Sequence, residues 1–199
     1  MINKLPFHKT HFYQTIILVF ICSLSLSGCS KYSNEVLANL TKLKKTKACS
    51  GCDLSGIELI SFDLKNADIS GANLKGANLS KSDLTGANLT DTNLSDADLM
   101  GVNLTGATLT NTNLTGVKLS YANISEVEMS NVMLVRAKLN NAKVLNSSIS
   151  YSDMTGANLY NTNLTDTRVS DKTLKDTILC QTIMPSGTTE NRSCRRSVL

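Results

Sequence analysis

Residues 72–91 read Ala-Asn-Leu-Lys-Gly, Ala-Asn-Leu-Ser-Lys, Ser-Asp-Leu-Thr-Gly, Ala-Asn-Leu-Thr-Asp, four units of five in which Leu74, Leu79, Leu84 and Leu89 recur at a fixed interval. Self-similarity of this kind marks a repeat architecture and takes precedence over the assignment of single elements. Extended outward, the frame puts an apolar residue at every fifth position from Leu54 to Leu179, 26 positions without an insertion. Leu fills most of them, with Ile69, Ile124, Ile149, Met129, Met154, Val144 and Val169 in the others. Two residues before each centre stands Ala, Ser, Thr or Cys in 19 of the 26 units, so that position favours a small side chain. Two residues after it stands Gly, Asn or Asp in 19 of the 25 units from Gly56 to Asp176, the residues that tolerate positive φ. A period of five is neither helical nor that of a simple strand. It suits a chain that turns a corner every five residues, with the centre and the small residue pointing inward and the others outward.

The units Ala72-Asn73-Leu74-Lys75-Gly76, Ala87-Asn88-Leu89-Thr90-Asp91 and Ala157-Asn158-Leu159-Tyr160-Asn161 follow the pattern Ala-Asp/Asn-Leu-Ser/Thr-Gly. On these residues the sequence resembles the pentapeptide-repeat family. The resemblance implies an all-β fold, a right-handed quadrilateral β-helix with four repeats per coil. At the ~4.8 Å strand spacing this gives about 6.5 coils and a rod roughly 31 Å long. Residues 20 apart then stack, and stability is shared along the stack because no coil buries its core alone.

A solenoid has two open ends that need cover. Val36, Leu37, Leu40 and Leu43 recur at helical spacing between Asn34 and Lys47, with Lys42, Lys44, Lys45 and Lys47 elsewhere, which predicts a short amphipathic capping helix over the first coil. At the other end Lys172 falls on an inward position, so the regular solenoid is expected to stop near Val169 and the rest to cap it, with a turn at Met184-Pro185-Ser186-Gly187. The segment from Leu179 to Cys194 resembles the C-terminal cap of some bacterial family members. The expected organisation is 1–28 leader, 29–47 linker and capping helix, 48–179 solenoid and 180–199 cap and tail.

The leader is read from its composition. Lys4, His8 and Lys9 give a positive start, and Ile16 to Leu26 is a largely apolar run of 11 residues. About 20 apolar residues are needed to span a bilayer, so the run reads as a signal peptide. Leu26-Ser27-Gly28-Cys29 resembles the lipobox of bacterial lipoproteins, which implies cleavage before Cys29 and acylation, palmitate included, of that residue. The expected location is the cell envelope, with the lipid anchor in the membrane. Ser30 resembles the outer-membrane sorting position of Gram-negative lipoproteins.

Of six Cys, Cys22 belongs to the leader and Cys29 is the lipidation site; Cys49, Cys52, Cys180 and Cys194 allow three connectivities. Export permits disulfides. Cys49-Ser50-Gly51-Cys52 fits a redox motif, half a zinc site or an N-terminal cap, and the repeat register points both thiols inward, favouring the cap. Cys180 and Cys194 flank the C-terminal turn and are candidates for a staple.

His8 and His11 are the only histidines, and both lie in the leader. That leaves the mature chain without the usual general base, triad member or zinc ligand. Outward acids such as Asp96 and Asp98 follow from the repeat and read as a solvated face. The chain is therefore expected to be no enzyme, with no metal or cofactor. Between Cys52 and Leu179, 8 Lys and 2 Arg face 11 Asp and 3 Glu, a net charge of −4 that is too weak for a DNA mimic. The lysines at 42, 44, 45 and 47 suit anionic headgroups better than a phosphate groove, so nucleic acid is not an expected partner.

Two outward columns stand out. Ser70, Thr90, Thr110, Ser130, Ser150 and Ser170, beside Asp68, Asn88, Thr108, Glu128, Ser148 and Arg168, form a flat hydroxyl-rich face suited to an envelope polymer such as glycan or peptidoglycan. The column Ile60, Ser80, Met100, Ser120, Asn140 and Tyr160 places apolar groups outside. Ile60, Met100 and Tyr160, with Tyr121 at a nearby corner, are the candidate protein-contact face. A structural or protein-interaction lipoprotein, with another envelope protein as partner, is the leading reading; a polymer binder is the alternative.

Overall fold

The computed structural model describes residues 31–194. The chain divides into Met1–Lys31 and Tyr32–Leu199. The fold is that of the second unit; the expected leader, 1–28, and Cys29 lie outside the described residues.

Every fifth residue from Gly51 to Asp166 has positive φ, nine of them Gly and the others including Lys81, Tyr121, Arg136 and Tyr151. These residues are the corners, placed two after each centre. An L side chain in this conformation costs roughly 1–2 kcal/mol, which explains the preference for Gly, Asn and Asp. Four corners complete a coil: Asp53 bridges Asn73, Asn73 bridges Asn93 and Asn93 bridges Asn113, all parallel and 20 residues apart. The coil has four faces, numbered by their first full centres: face 1 from Leu54, face 2 from Leu59, face 3 from Leu64 and face 4 from Ile69.

The centres fill the interior, and those from Leu54 to Leu164 are all buried. Burying such a side chain contributes about 1.5–3 kcal/mol before the ordering of the backbone offsets it. Where the small inward residue is Ser or Thr, its hydroxyl donates to a centre's carbonyl in the preceding coil, as from Thr92 to Ile69 (3.0 Å), Thr112 to Leu89 (2.9 Å) and Thr162 to Leu139 (2.7 Å), with Thr177 the exception. Among the described residues no buried side-chain nitrogen or oxygen lacks a partner. At the corners the amide of the small residue normally donates to the centre before it, as from Ala97 to Leu94 (3.1 Å). On either side of face 4 this bond is replaced: Val127 and Val132 donate instead to the hydroxyls of Ser147 and Ser152 in the next coil (3.1 and 3.0 Å). There the face widens into short parallel strands β1 (Glu128–Ser130), β2 (Ser148–Ser150) and β3 (Arg168–Val169).

At the N-terminal end lies α1 (Asn34–Thr46), started by the Ser33 hydroxyl accepting from the Val36 amide (3.2 Å) and ended by Lys47 in the left-handed conformation. Val36 and Leu43 are buried with the solenoid core, and Leu40 packs against it. The Asn39 amide donates to the Asp53 carbonyl (3.0 Å), a group that deeper in the stack receives a bond from the coil before it. Cys49 and Cys52, both buried, are joined in a disulfide beneath this end.

At the other end the chain departs from the expected stop near Val169. Lys172 would point its ammonium into the core at a position reserved for small residues, and the chain avoids that cost by forming α2 (Asp171–Leu174), a single helical turn that leaves Lys172 exposed. Asp171 and Asp176, at corner positions, accordingly lack positive φ. Yet Leu174 and Leu179 are buried, Asn158 bridges Ile178, and ladder bonds run on to the Pro185 carbonyl, which accepts from Asp166 (3.2 Å). The expected stop is thus a detour confined to one face, after which the stack resumes. A final hairpin, β4 (Thr182–Ile183) with β5 (Thr189–Glu190), is antiparallel, and a disulfide joins Cys180 to Cys194 beside it.

Candidate functional site

Face 2 is built from a ladder that runs Glu58, Asn78, Asp98, Lys118, Lys138, Asn158 and Ile178. In several of its units the residue before the centre caps the backbone after it. Asp98 accepts from the Met100 amide (3.1 Å) and Asn158 from the Tyr160 amide (3.0 Å). These local bonds fix the backbone at the base of each outward side chain. Ile60, Met100, Tyr121 and Tyr160 are exposed by 46%, 44%, 66% and 40% respectively, whereas the buried Ile and Met of the core are exposed by 5% or less.

Ile60, Met100 and Tyr160 share one column, as their spacing in multiples of 20 requires. Ser80, Ser120 and Asn140 separate them, so at about 4.8 Å per coil Ile60 and Met100 stand roughly 10 Å apart. Tyr121 stands at the face 2 to face 3 corner, φ 63°, one coil beyond Met100. Between these groups Lys118 pairs with Asp98 at 3.2 Å, with both side chains partly in water. The face is therefore a series of apolar points on a polar ground, extended at its end by the exposed Ile178.

A second exposed apolar pair lies elsewhere. Met133 on face 1 pairs with Asp153 of the next coil, and Tyr151, 90% exposed, forms the corner that leads into that same stretch. Met133 on face 1 and Ile178 on face 2 stand before their centres, outside the columns drawn from the sequence. Before the centres Asn and Asp dominate, and these two are the apolar exceptions from Asp53 to Ile178.

Face 4 carries the hydroxyl column. Ser50 and Ser70 hydroxyls lie 2.9 Å apart, and Ser70 donates to Asp68 (2.8 Å), so part of this row is already engaged within the protein. Asp68 and Asp153 are held below the ordinary carboxylate range, first by the hydroxyls of Ser70 and Thr155 and then by the amides of the same residues. Asp53 is lowered first by the Ser55 amide. Asp63 is lowered first by the Lys47 ammonium and Asp83 first by the Thr85 hydroxyl. The shifts of Asp53, Asp68, Asp83 and Asp153 come first from bonds within their own turns, and that of Asp63 from its ion pair with Lys47.

Where α2 leaves face 1, a cleft of about 600 Å³ opens between the sixth coil and the detour, lined by Tyr151, Asp153, Met154, Lys172, Thr173 and Asp176 among others. Cys180 and Cys194 are tied together at the C-terminal end. No helix among the described residues is long and apolar enough to cross a membrane.

The sequence matches the family described as Pentapeptide repeats in eight copies, with matched segments running from 49–86 to 128–166. No curated protein matches it. Solved structures do. HetL, a pentapeptide repeat protein involved in heterocyst differentiation regulation in the cyanobacterium Nostoc, is 28% identical, over 72% of this chain and 74% of its own, with a TM-score of 0.48. AT2G44920, a pentapeptide repeat protein of the Arabidopsis thaliana thylakoid lumen, is 29% identical over 73% and 79%, with a TM-score of 0.42. QnrB1, a plasmid-mediated fluoroquinolone resistance protein, is 21% identical over 61% and 77%, with a TM-score of 0.46.

Proposed function

The chain belongs to the pentapeptide-repeat family, whose β-helical members are generally non-enzymatic structural or interaction proteins, and from that premise we propose that it is a lipid-anchored scaffold of the cell envelope. The observation that carries the reading is the exposed column of Ile60, Met100 and Tyr160 with Tyr121 beside it, on a surface otherwise made polar by the repeat. Apolar points held on a rigid backbone suit contact with another envelope protein. Cys29 is the anchor, supported by the Leu26-Ser27-Gly28-Cys29 box, and α1 closes the end of the stack nearest to it in sequence. Ser30 favours the outer membrane in a Gram-negative cell.

Two measurements test this. Cys29→Ser is expected to leave an unprocessed precursor that takes up no lipid label; normal processing and membrane retention would remove the anchor from the proposal. A photocrosslinker at Met100 is expected to capture one defined envelope protein, while the same group at Thr110 on face 4 captures none. The hydroxyl column of face 4 supports the second reading, a polymer binder. Retention of the protein on purified peptidoglycan, lost on substitution of Thr110 and Ser130, would favour it.

A further inference from the structure

Of the four faces of the last coil, one fails to pair. Face 4 continues from Ser148 to Arg168, face 2 from Asn158 to Ile178 and face 3 from Asn163 to Ile183, but the face 1 ladder ends where Met133 meets Asp153. One coil earlier the amides of Asn131, Leu134 and Arg136 donate to the carbonyls of Ser150, Asp153 and Thr155. Their counterparts one coil on are Tyr151, Met154 and Gly156. Only Gly156 finds a ladder partner, the Asp176 carbonyl (2.8 Å). The Thr173 amide, which would donate to the Ser152 carbonyl, donates instead to the Ser170 hydroxyl that starts α2 (3.1 Å). Tyr151 N–H, Ser152 C=O and Met154 N–H are thus left in sequence as donor, acceptor and donor along the wall of the cleft that α2 opens.

That order is the edge of a parallel strand, and it is complementary to the C=O, N–H and C=O of one extended segment. We propose that this cleft receives an extended peptide segment of a partner protein, which completes face 1 of the last coil in place of residues 170–173. The position Lys172 vacates is an inward one above the half-buried Ser152, so the incoming residue there must be small, Ala, Ser or Gly. Leu174 already fills the next inward position, so the segment cannot continue into the core and must leave past Thr173. The proposal deepens the protein-interaction reading by naming a second contact and its chemistry, and it is independent of the apolar column on face 2.

The same cause that opens the cleft gives the means to close it. Ser170→Ala with Lys172→Ala removes the hydroxyl that starts α2 and the charge that forbids the inward position. In the purified full-length protein in detergent, amide exchange at Tyr151 and Met154 is expected to be about tenfold slower in this double variant, the scale of one net backbone hydrogen bond. A random linear dodecapeptide library is then selected on the unaltered protein. Enriched peptides with a small central residue that slow exchange at Tyr151 and Met154, and that lose at least about tenfold in affinity for the double variant, support the proposal. Three outcomes overturn it: the double variant leaves both amides exchanging as before, no peptide is enriched, or the enriched peptides leave those two amides unprotected. Capture from Met100 on face 2 is unaffected by any of these, so the two contacts fail separately.

Discussion

The coil centred on Leu94, Leu99, Leu104 and Leu109 and the coil that ends the stack descend from one repeat, but they meet its rule differently. In the first, every inward position is small or apolar, every corner has positive φ, and all four faces pair above and below. In the second a single Lys at an inward position converts one face to helix, while Leu174 and Leu179 return the chain to the core. The lesson is that the repeat constrains faces one at a time. A violation costs the local ladder and spares the next face, as the bridge from Asn158 to Ile178 shows.

The largest expected effect separates the body from the end. Leu109→Asp buries a carboxylate between Leu89 and Met129 with no partner, which costs several kcal/mol. Thermal unfolding and limited proteolysis should show loss of register on both sides. Leu174→Asp, with a coil on one side only, should confine new cleavage to 170–194. Thr110→Asp, one residue from Leu109 and outward, should be nearly silent; equal effects from 109 and 110 would break the assignment of inside and outside.

Next comes the C-terminal disulfide, whose two Cys are 14 residues apart. Cys180→Ser with Cys194→Ser should cost about 3 kcal/mol of local stability, the chain-entropy value for a loop near that length. Proteolysis should then start in the hairpin, with the coils before Val169 as resistant as before. Loss of resistance throughout would show that the body depends on its end.

Two threonines sharpen the comparison further. The Thr112 hydroxyl donates across coils to Leu89 (2.9 Å), whereas that of Thr177 donates within its own turn to Leu174 (2.7 Å). Thr112→Val should cost about 1–2 kcal/mol by stripping that hydroxyl bond from a buried inter-coil contact, and Thr177→Val less. Chemical denaturation of the two variants measures the difference.

The smallest effect is in pH. Asp53, Asp68 and Asp153 have folded pKa values below their unfolded ones, so their contribution is complete above the ordinary carboxylate range and is lost as pH falls through the folded values. Changing all three to Asn, which makes the same turn bond at Asn73, Asn88 and Asn113, should leave neutral stability nearly unchanged and flatten its decline toward about pH 3. A decline of the same slope would assign acid sensitivity to other groups.

Helical spacing of Val36, Leu37, Leu40 and Leu43 placed the helix at Asn34–Thr46, and the family resemblance implied the stacking by 20. The five-residue period determined the inward and outward sides of the solenoid and the inward direction of Cys49 and Cys52, which follow from side-chain size and from which residues accept positive φ, properties that a short window of sequence already contains. The candidate column on face 2 was legible for the same reason, since a fixed period turns spacing into position. The sequence also marked Lys172 as a misfit. It could not show the outcome, because a stop, a bulge and a helical turn all hide an ammonium, and the choice among them depended on whether Leu174 and Leu179 could still reach the core. Pairing among four cysteines, the exchange of corner bonds at Val127 and Val132 for the hydroxyls of Ser147 and Ser152, and the cleft beside Tyr151 were likewise decided in three dimensions. All of these require atoms from two coils to compete for one partner, and that competition exists only once the coils are stacked.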